Sequence, residues 1–144
     1  MGAALIAKGA DVNGTGGKDA ATPLMRAASN GHEAMLTLLL QSGAKIDEQD
    51  KLGGTALMWA AFKGQASCAE RLLVSGALVD VRGRRGETAL WLATTNAGAD
   101  MVSLLLKHGA NPNLADMTGI TPIKEAQTRN KPDVLQVLQS HGAK

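Results

Sequence analysis

The sequence repeats one phrase at a fixed interval. A threonine, followed by Pro or Ala and then by Leu or Ile, recurs every 33 residues, at Thr22, Thr55, Thr88 and Thr121. A Gly-Ala pair follows each threonine by 21 residues, at Gly43, Gly76, Gly109 and Gly142. Two markers that stay in phase along the chain indicate an array of stacked repeats, not a globular domain built around one active-site cleft.

One repeat, residues 50–82, predicts a turn followed by two helices. The hydroxyl of Thr55 is placed to cap the first helix, and Gly64 to end it in the left-handed conformation. The second helix should bury the face that contains Cys68 and end at Gly76. Because other repeats place Met or Val in the column of Cys68, we interpret this cysteine as a core residue and not as a reactive thiol.

The recurring phrases together resemble the ankyrin repeat: a turn, Thr-Pro-Leu, Ala-Ala, Gly-His, Leu-Leu and Gly-Ala-Asp-Val-Asn, in register along essentially the whole chain. The resemblance implies an all-α solenoid of stacked helix–turn–helix units with β-hairpin-like loops. We predict one domain, 1–144, made of a partial repeat and four repeats, the last a C-terminal cap: 1–16, 17–49, 50–82, 83–115 and 116–144. The partial repeat reflects either truncation of a longer array, which we favour, or a natural half-repeat.

Two departures from the family pattern affect the loops. The histidine that usually follows Thr-Pro-Leu is replaced by Met25, Met58, Trp91 and Lys124. We expect the hydrogen bond from that histidine to the loop to be lost in the first three repeats. The third repeat has Gly83 where the family usually has Asp.

Composition argues against several classes of function. The chain has 15 Lys and Arg against 13 Asp and Glu, a net charge of +2, which is too balanced to favour nucleic acid or a membrane surface. No apolar run approaches the ~20 residues of a spanning helix. The single cysteine favours a reducing compartment. We therefore expect a monomeric, cytoplasmic protein.

The sequence contains no convincing catalytic or cofactor site. The segment Gly14–Asp19 half-resembles a phosphate-binding loop but lacks its first glycine and the Ser or Thr after the lysine. The three histidines have no metal-ligand spacing within a helix, and we expect His108 and His141 to lie at helix C-termini. We predict no enzyme activity, no cofactor and no metal. The resemblance also makes hydroxylation of Asn13 or Asn113 conceivable, although hydrogen bonding in the turn is the simpler role.

If the chain performs no chemistry, its function lies in a surface. The resemblance implies a concave face made of the loop tips and the exposed side of each first helix. Trp59 and Phe62 lie one turn apart, opposite the small apolar stripe that should face inward, and such an aromatic pair is typical of an interface. The alternative is that Trp59 only covers the gap between neighbouring first helices. For Trp91 we favour a half-buried packing role.

Basic residues surround that pair. Arg82, Arg84 and Arg85 crowd the tip before the third repeat, near Lys51 and Lys63, and guanidinium groups there could bind carboxylates or phosphates. They could equally form a solvated loop. The complete set of candidate partner-binding residues is Trp59, Phe62, Lys51, Leu52, Lys63, Arg82, Arg84, Arg85, Leu92, Thr95, Asn96, Arg26, Met117 and Arg129.

We therefore predict a non-catalytic protein–protein interaction module. We expect a protein or peptide to bind the concave face through an acidic segment. Two other hypotheses remain: a regulatory or targeting segment of a larger enzyme or channel, and an acidic-ligand or nucleic-acid binder that uses the arginine-rich tip.

Overall fold

The structure, a computed structural model, describes Gly14 and residues 20–143. Within this part the chain forms eight α-helices and no strand. In chain order they are α1 Pro23–Asn30, α2 Glu33–Gln41, α3 Ala56–Lys63, α4 Ala66–Val74, α5 Ala89–Asn96, α6 Ala99–Lys107, α7 Pro122–Thr128 and α8 Pro132–Ser140. Four helix pairs thus follow one another, which confirms the all-α solenoid.

The recurring threonines start the first helix of each pair. Each hydroxyl oxygen accepts a hydrogen bond from the backbone N–H three residues later, at 3.1–3.3 Å. This bond satisfies one of the N–H groups that a helix start leaves open. Helices α1 and α3 end at Gly31 and Gly64, whose φ angles of 73° and 71° lie in the left-handed region. The sequence predicted both the start and the end of α3.

The helices pack in two layers. The first helices α1, α3, α5 and α7 contact one another in order, as do the second helices α2, α4, α6 and α8. An alanine column runs through the first layer and is almost fully buried: Ala27, Ala60, Ala93 and Ala126. A leucine column runs through the second: Leu39, Leu72, Leu105 and Leu138. Small side chains let the first helices approach closely, while the leucines fill the wider space between the second helices.

The loop tips form a continuous row along one edge. In each of the tips 50–54, 83–87 and 116–120, backbone hydrogen bonds close a hairpin-like turn. Neighbouring tips are also joined, because the N–H of Arg84 donates to the Leu52 carbonyl at 2.9 Å and that of Met117 to the Arg85 carbonyl at 2.7 Å. The tips therefore stack in register with the helices.

The predicted loss of loop hydrogen bonds is wrong for Trp91. Its indole Nε1–H donates to the Ile120 carbonyl, in the tip of the following repeat, at 3.2 Å. The thioether of Met25 also accepts a hydrogen bond from the Thr22 backbone N–H at 3.3 Å. An indole is long enough to reach across the stacking interface, which is why a tryptophan can replace the histidine here.

The last repeat is more polar than the others. Lys124, Gln127 and Gln139 are exposed. Glu125 is only 8% exposed and pairs with Arg129 one turn later. The capping role and the repeat boundaries remain predictions.

Candidate binding groove

A groove opens between the tips and first helices of the second and third repeats. Its volume is about 530 Å³. Ten residues, half of them with large apolar side chains, line it: Asp50, Leu52, Gly54, Met58, Trp59, Phe62, Arg84, Arg85, Glu87 and Leu92. We call this the 59–92 groove. It brings together six of the candidates, Leu52, Trp59, Phe62, Arg84, Arg85 and Leu92.

Trp59 is held against the groove by the tip of its own repeat. Its indole Nε1–H donates to Oδ2 of Asp50 at 2.8 Å. The other carboxylate oxygen of Asp50 accepts from the backbone N–H groups of Leu52 at 3.0 Å and Gly54 at 2.8 Å. Asp50 is only 7% exposed, so one carboxylate fixes both the turn and the indole. Trp59 itself is half-buried, with one face turned to the groove.

Phe62 extends the aromatic surface toward solvent. Its ring meets the Trp59 ring edge-on, with centroids 6.0 Å apart and planes at 89°. Lys63 Nζ lies 5.8 Å from the centroid of the Phe62 ring, within cation–π range. Phe62 is 38% exposed and Leu52 is 65% exposed. Exposed apolar side chains at the rim and half-buried ones below form a surface that a partner can desolvate.

The arginines are ordered by backbone carbonyls of neighbouring repeats. Arg84 Nη1 donates to the Lys51 carbonyl at 3.1 Å, and Arg82 Nη2 donates to the Ala115 carbonyl at 3.0 Å. A guanidinium group carries five N–H donors, so one such bond leaves the others available. Arg82 points toward Ala115, at the end of the third repeat, and does not line the groove.

The described inner face, meaning the tips and first helices, is positively charged. Its basic residues are Arg26, Lys51, Lys63, Arg84, Arg85 and Lys124. Its acidic residues are Asp50, Glu87, Asp116 and Glu125. Three of these carboxylates already accept hydrogen bonds within the fold. The side-chain carboxylate of Glu87 has no hydrogen bond or ion pair with another described residue.

Comparisons with known proteins agree with this geometry. A family model for ankyrin repeats, in three copies, matches residues 3–82 and 57–144. The chain belongs to the ankyrin repeat family. A crystal structure of an ankyrin repeat domain from Acinetobacter baumannii AYE is similar to it, with a TM-score of 0.90 and 37% sequence identity, over 98% of this chain and 74% of that one. No curated protein matches the chain significantly.

The remaining candidates of the ankyrin domain lie outside the 59–92 groove. The structure corrects the assignment of Thr95 to the exposed binding face. Thr95 is only 7% exposed, because it lies on the buried side of α5, where its hydroxyl donates to the Leu92 carbonyl. Asn96 is exposed but its amide bonds back to the same carbonyl. Arg129 is engaged with Glu125. Arg26 and Met117 are exposed on the first and fourth repeats.

Sequence reasoning missed four residues of the groove, one of them Gly54 of the tip. Met58 forms part of its floor and is 3% exposed. Asp50 orients Trp59, and Glu87 contributes a carboxylate to the wall. The predicted turn at the start of the repeat 50–82 includes Asp50, but nothing in the sequence alone linked this residue to an indole nine positions later.

Other candidate sites of the ankyrin domain take structural roles. Cys68 is 1% exposed, and burial, with a smaller contribution from Glu33, raises the pKa of its thiol. His108 and His141 directly follow α6 and α8, as expected. The Asn113 N–H donates to Asn111 Oδ1 at 2.9 Å, which is the turn bonding we expected there.

Several possibilities find no support in the part of the chain that the structure describes. No group of three or more His, Cys, Asp and Glu side chains there could hold a metal ion. No helix in that part is long and apolar enough to cross a membrane. Asn13 and nearly all of the segment Gly14–Asp19 lie outside the described residues.

Proposed function

We propose that this ankyrin domain binds a protein or peptide segment in the 59–92 groove, as a non-catalytic interaction module. Ankyrin repeats generally bind other proteins, and their fold is typically non-catalytic. The observation that carries the proposal is an aromatic pair, the half-buried Trp59 and the exposed Phe62, that lines a preformed apolar groove. Buried aromatic anchors contribute about 2 kcal/mol or more to binding at comparable interfaces.

The charge of the inner face supports an acidic partner. Arg84, Arg85 and Lys63 lie around the aromatic pair, and most carboxylates of that face are engaged within the fold. Positive charge beside an apolar anchor accelerates association with an acidic segment and discriminates against a basic one. The partner segment we propose therefore carries an apolar or aromatic side chain flanked by Asp or Glu.

Two accompanying proposals concern the state of the protein. We propose that the domain acts as a monomer, and that it resides in the cytoplasm, where its one cysteine would stay reduced. The hypotheses of a regulatory segment in a larger protein and of nucleic-acid binding remain sequence-based predictions. The charge balance argues against the second.

The test is selection of displayed random peptides on the immobilised domain. We expect enriched peptides to combine an apolar or aromatic residue with Asp or Glu. Phe62→Ala and Trp59→Ala should each weaken a selected peptide at least ~10-fold, because each removes an anchor. Circular dichroism must show that the helix content is unchanged.

A matched control removes exposed apolar area elsewhere. Val74 and Leu78 are 67% and 62% exposed and lie at the end of α4 and in the loop that follows, outside the groove. The double variant Val74→Ala, Leu78→Ala should bind the selected peptide as the wild type does. If that variant loses binding while the groove variants retain it, the proposed binding surface is wrong.

A further inference from the structure

The three described tips share one backbone conformation. In the tips 50–54, 83–87 and 116–120, the N–H of the first residue donates to the carbonyl of the fifth at 2.9 Å. The N–H of the fourth residue donates to the carbonyl of the first at 3.0 Å in all three. Any difference among the tips therefore comes from their side chains.

A carboxylate completes two of these tips. Asp50 Oδ1 accepts hydrogen bonds from the backbone N–H groups of the third and fifth tip residues, at 3.0 and 2.8 Å. Asp116 Oδ1 accepts from the corresponding N–H groups at 2.9 and 3.0 Å. Two N–H groups that converge on one oxygen form a small anion-binding cradle.

The tip of the third repeat has the same two N–H groups without the aspartate. Gly83 stands at the position of the aspartate, and the corresponding N–H groups belong to Arg85 and Glu87. Neither N–H group donates to an acceptor in the described part of the chain. The Glu87 carboxylate lies over Gly83, where an added Cβ would collide with it, but it accepts no hydrogen bond from the cradle.

The surroundings of this open cradle favour an anion. The side chains of Arg84 and Arg85 line the 59–92 groove beside it. In the neighbouring tip, partial desolvation raises the pKa of the Asp116 carboxyl, but hydrogen bonds from the Thr118 hydroxyl and from backbone N–H groups outweigh it. The pKa of Asp116 therefore lies below its ordinary value, as expected where a cradle of this kind stabilises the ionised carboxylate.

We propose that an Asp or Glu side chain of the partner binds the tip 83–87. Its carboxylate accepts hydrogen bonds from the N–H groups of Arg85 and Glu87, in the position that Asp50 and Asp116 take in their own tips. This inference rests on the proposed function, because the same partner segment places its apolar residue in the adjoining groove. The flexible Glu87 side chain swings aside to admit the incoming carboxylate.

The cradle can be probed without knowing the partner. Acetate is titrated into the wild-type domain at neutral pH and constant ionic strength, with chloride as the replaced ion, and backbone amides are followed by NMR. We expect progressive shifts of the Arg85 and Glu87 amide signals. The amides of the occupied tips serve as internal controls and should stay unchanged: Leu52, Gly54, Thr118 and Ile120.

Substitutions at Gly83 distinguish hydrogen bonding of the anion to the two N–H groups from its general attraction to the nearby positive charges. Gly83→Asn supplies an uncharged oxygen to the two N–H groups, whereas Gly83→Ala displaces the Glu87 side chain without supplying an acceptor. We expect Gly83→Asn to abolish the acetate response and to weaken a selected acidic peptide at least ~10-fold, and Gly83→Ala to preserve both. Glu87→Gln, which removes a repelling charge, should strengthen the acetate response.

The outcomes distinguish this inference from the proposed function. Equal shifts at all three tips, no shifts at all, or shifts with inorganic phosphate but not with acetate would each overturn the carboxylate site. If the selected peptide still requires Phe62 in that case, the groove proposal stands alone. If acetate shifts the Arg85 and Glu87 signals as expected but peptide binding does not require Phe62, the carboxylate site in the tip 83–87 stands and the groove proposal is wrong.

Discussion

The bond between Asp50 and Trp59 joins the turn of the second repeat to its binding surface, and its strength can be measured. Asp50 is 7% exposed, and its Oδ2 lies 2.8 Å from the indole Nε1. A hydrogen bond to a charged acceptor contributes about 1.5–3 kcal/mol net. Asp50→Ala also releases two backbone N–H groups of the tip, so we expect it to lower the free energy of unfolding by about 2–4 kcal/mol.

A double-mutant cycle isolates the indole bond. Trp59→Phe keeps an aromatic ring and removes the N–H, so its effect in the Asp50→Ala background should be smaller than in the wild type. We expect a coupling energy of about 1.5–3 kcal/mol, from urea unfolding followed by circular dichroism.

A second cycle provides the control. Asp116 makes the same bonds within its tip but lies two repeats away from Trp59, so Asp116→Ala and Trp59→Phe should be additive within about 0.5 kcal/mol. A coupling near zero between Asp50 and Trp59 would show that the carboxylate does not orient the indole. A coupling energy of equal size in both cycles would show that it does not arise from the hydrogen bond between Asp50 and Trp59.

Two further predictions concern titratable groups. Because burial raises the pKa of Cys68, its thiol should react slowly with a disulfide reagent and should become reactive only as urea unfolds the domain; rapid labelling of the folded protein would contradict the core assignment. The pKa of Asp116 is depressed in the folded state, so the stability that its carboxylate contributes is present above the unfolded value near ~3.9 and is lost as pH falls through the folded value. Asp116→Asn should therefore flatten the acid-side decline of the urea midpoint, and an unchanged pH profile would show that these hydrogen bonds contribute nothing.

The periodic parts of the fold could be predicted because each repeat needs the same residues for the same local reason. Thr55 caps a helix and Gly64 ends one through bonds within a few positions, so sequence spacing alone locates them. The groove was only partly predictable. Trp59 and Phe62 stood out as aromatic residues without a core role in a chain that has few aromatics.

Contacts between repeats could not be predicted, because the spacing of residues within one repeat does not show which residues of the next repeat they contact. Trp91 bonds to the next tip, and the register of that tip is set by stacking. Thr95 was a candidate partner-binding residue, yet it is only 7% exposed, and Lys131 Nζ of the next repeat donates to its carbonyl at 2.9 Å. The absence of an aspartate at Gly83 was visible in the sequence, but its consequence, an open pair of N–H groups, required the structure.

The central claim is that the inner face between the second and third repeats is the binding surface. Hydrogen–deuterium exchange of the domain, with and without a selected peptide, tests it most directly. We predict that binding slows exchange in the tips 50–54 and 83–87 and in α3, and leaves the second helices α4 and α6 unchanged. Protection confined to α4 and α6, with the two tips unaffected, would contradict the claim.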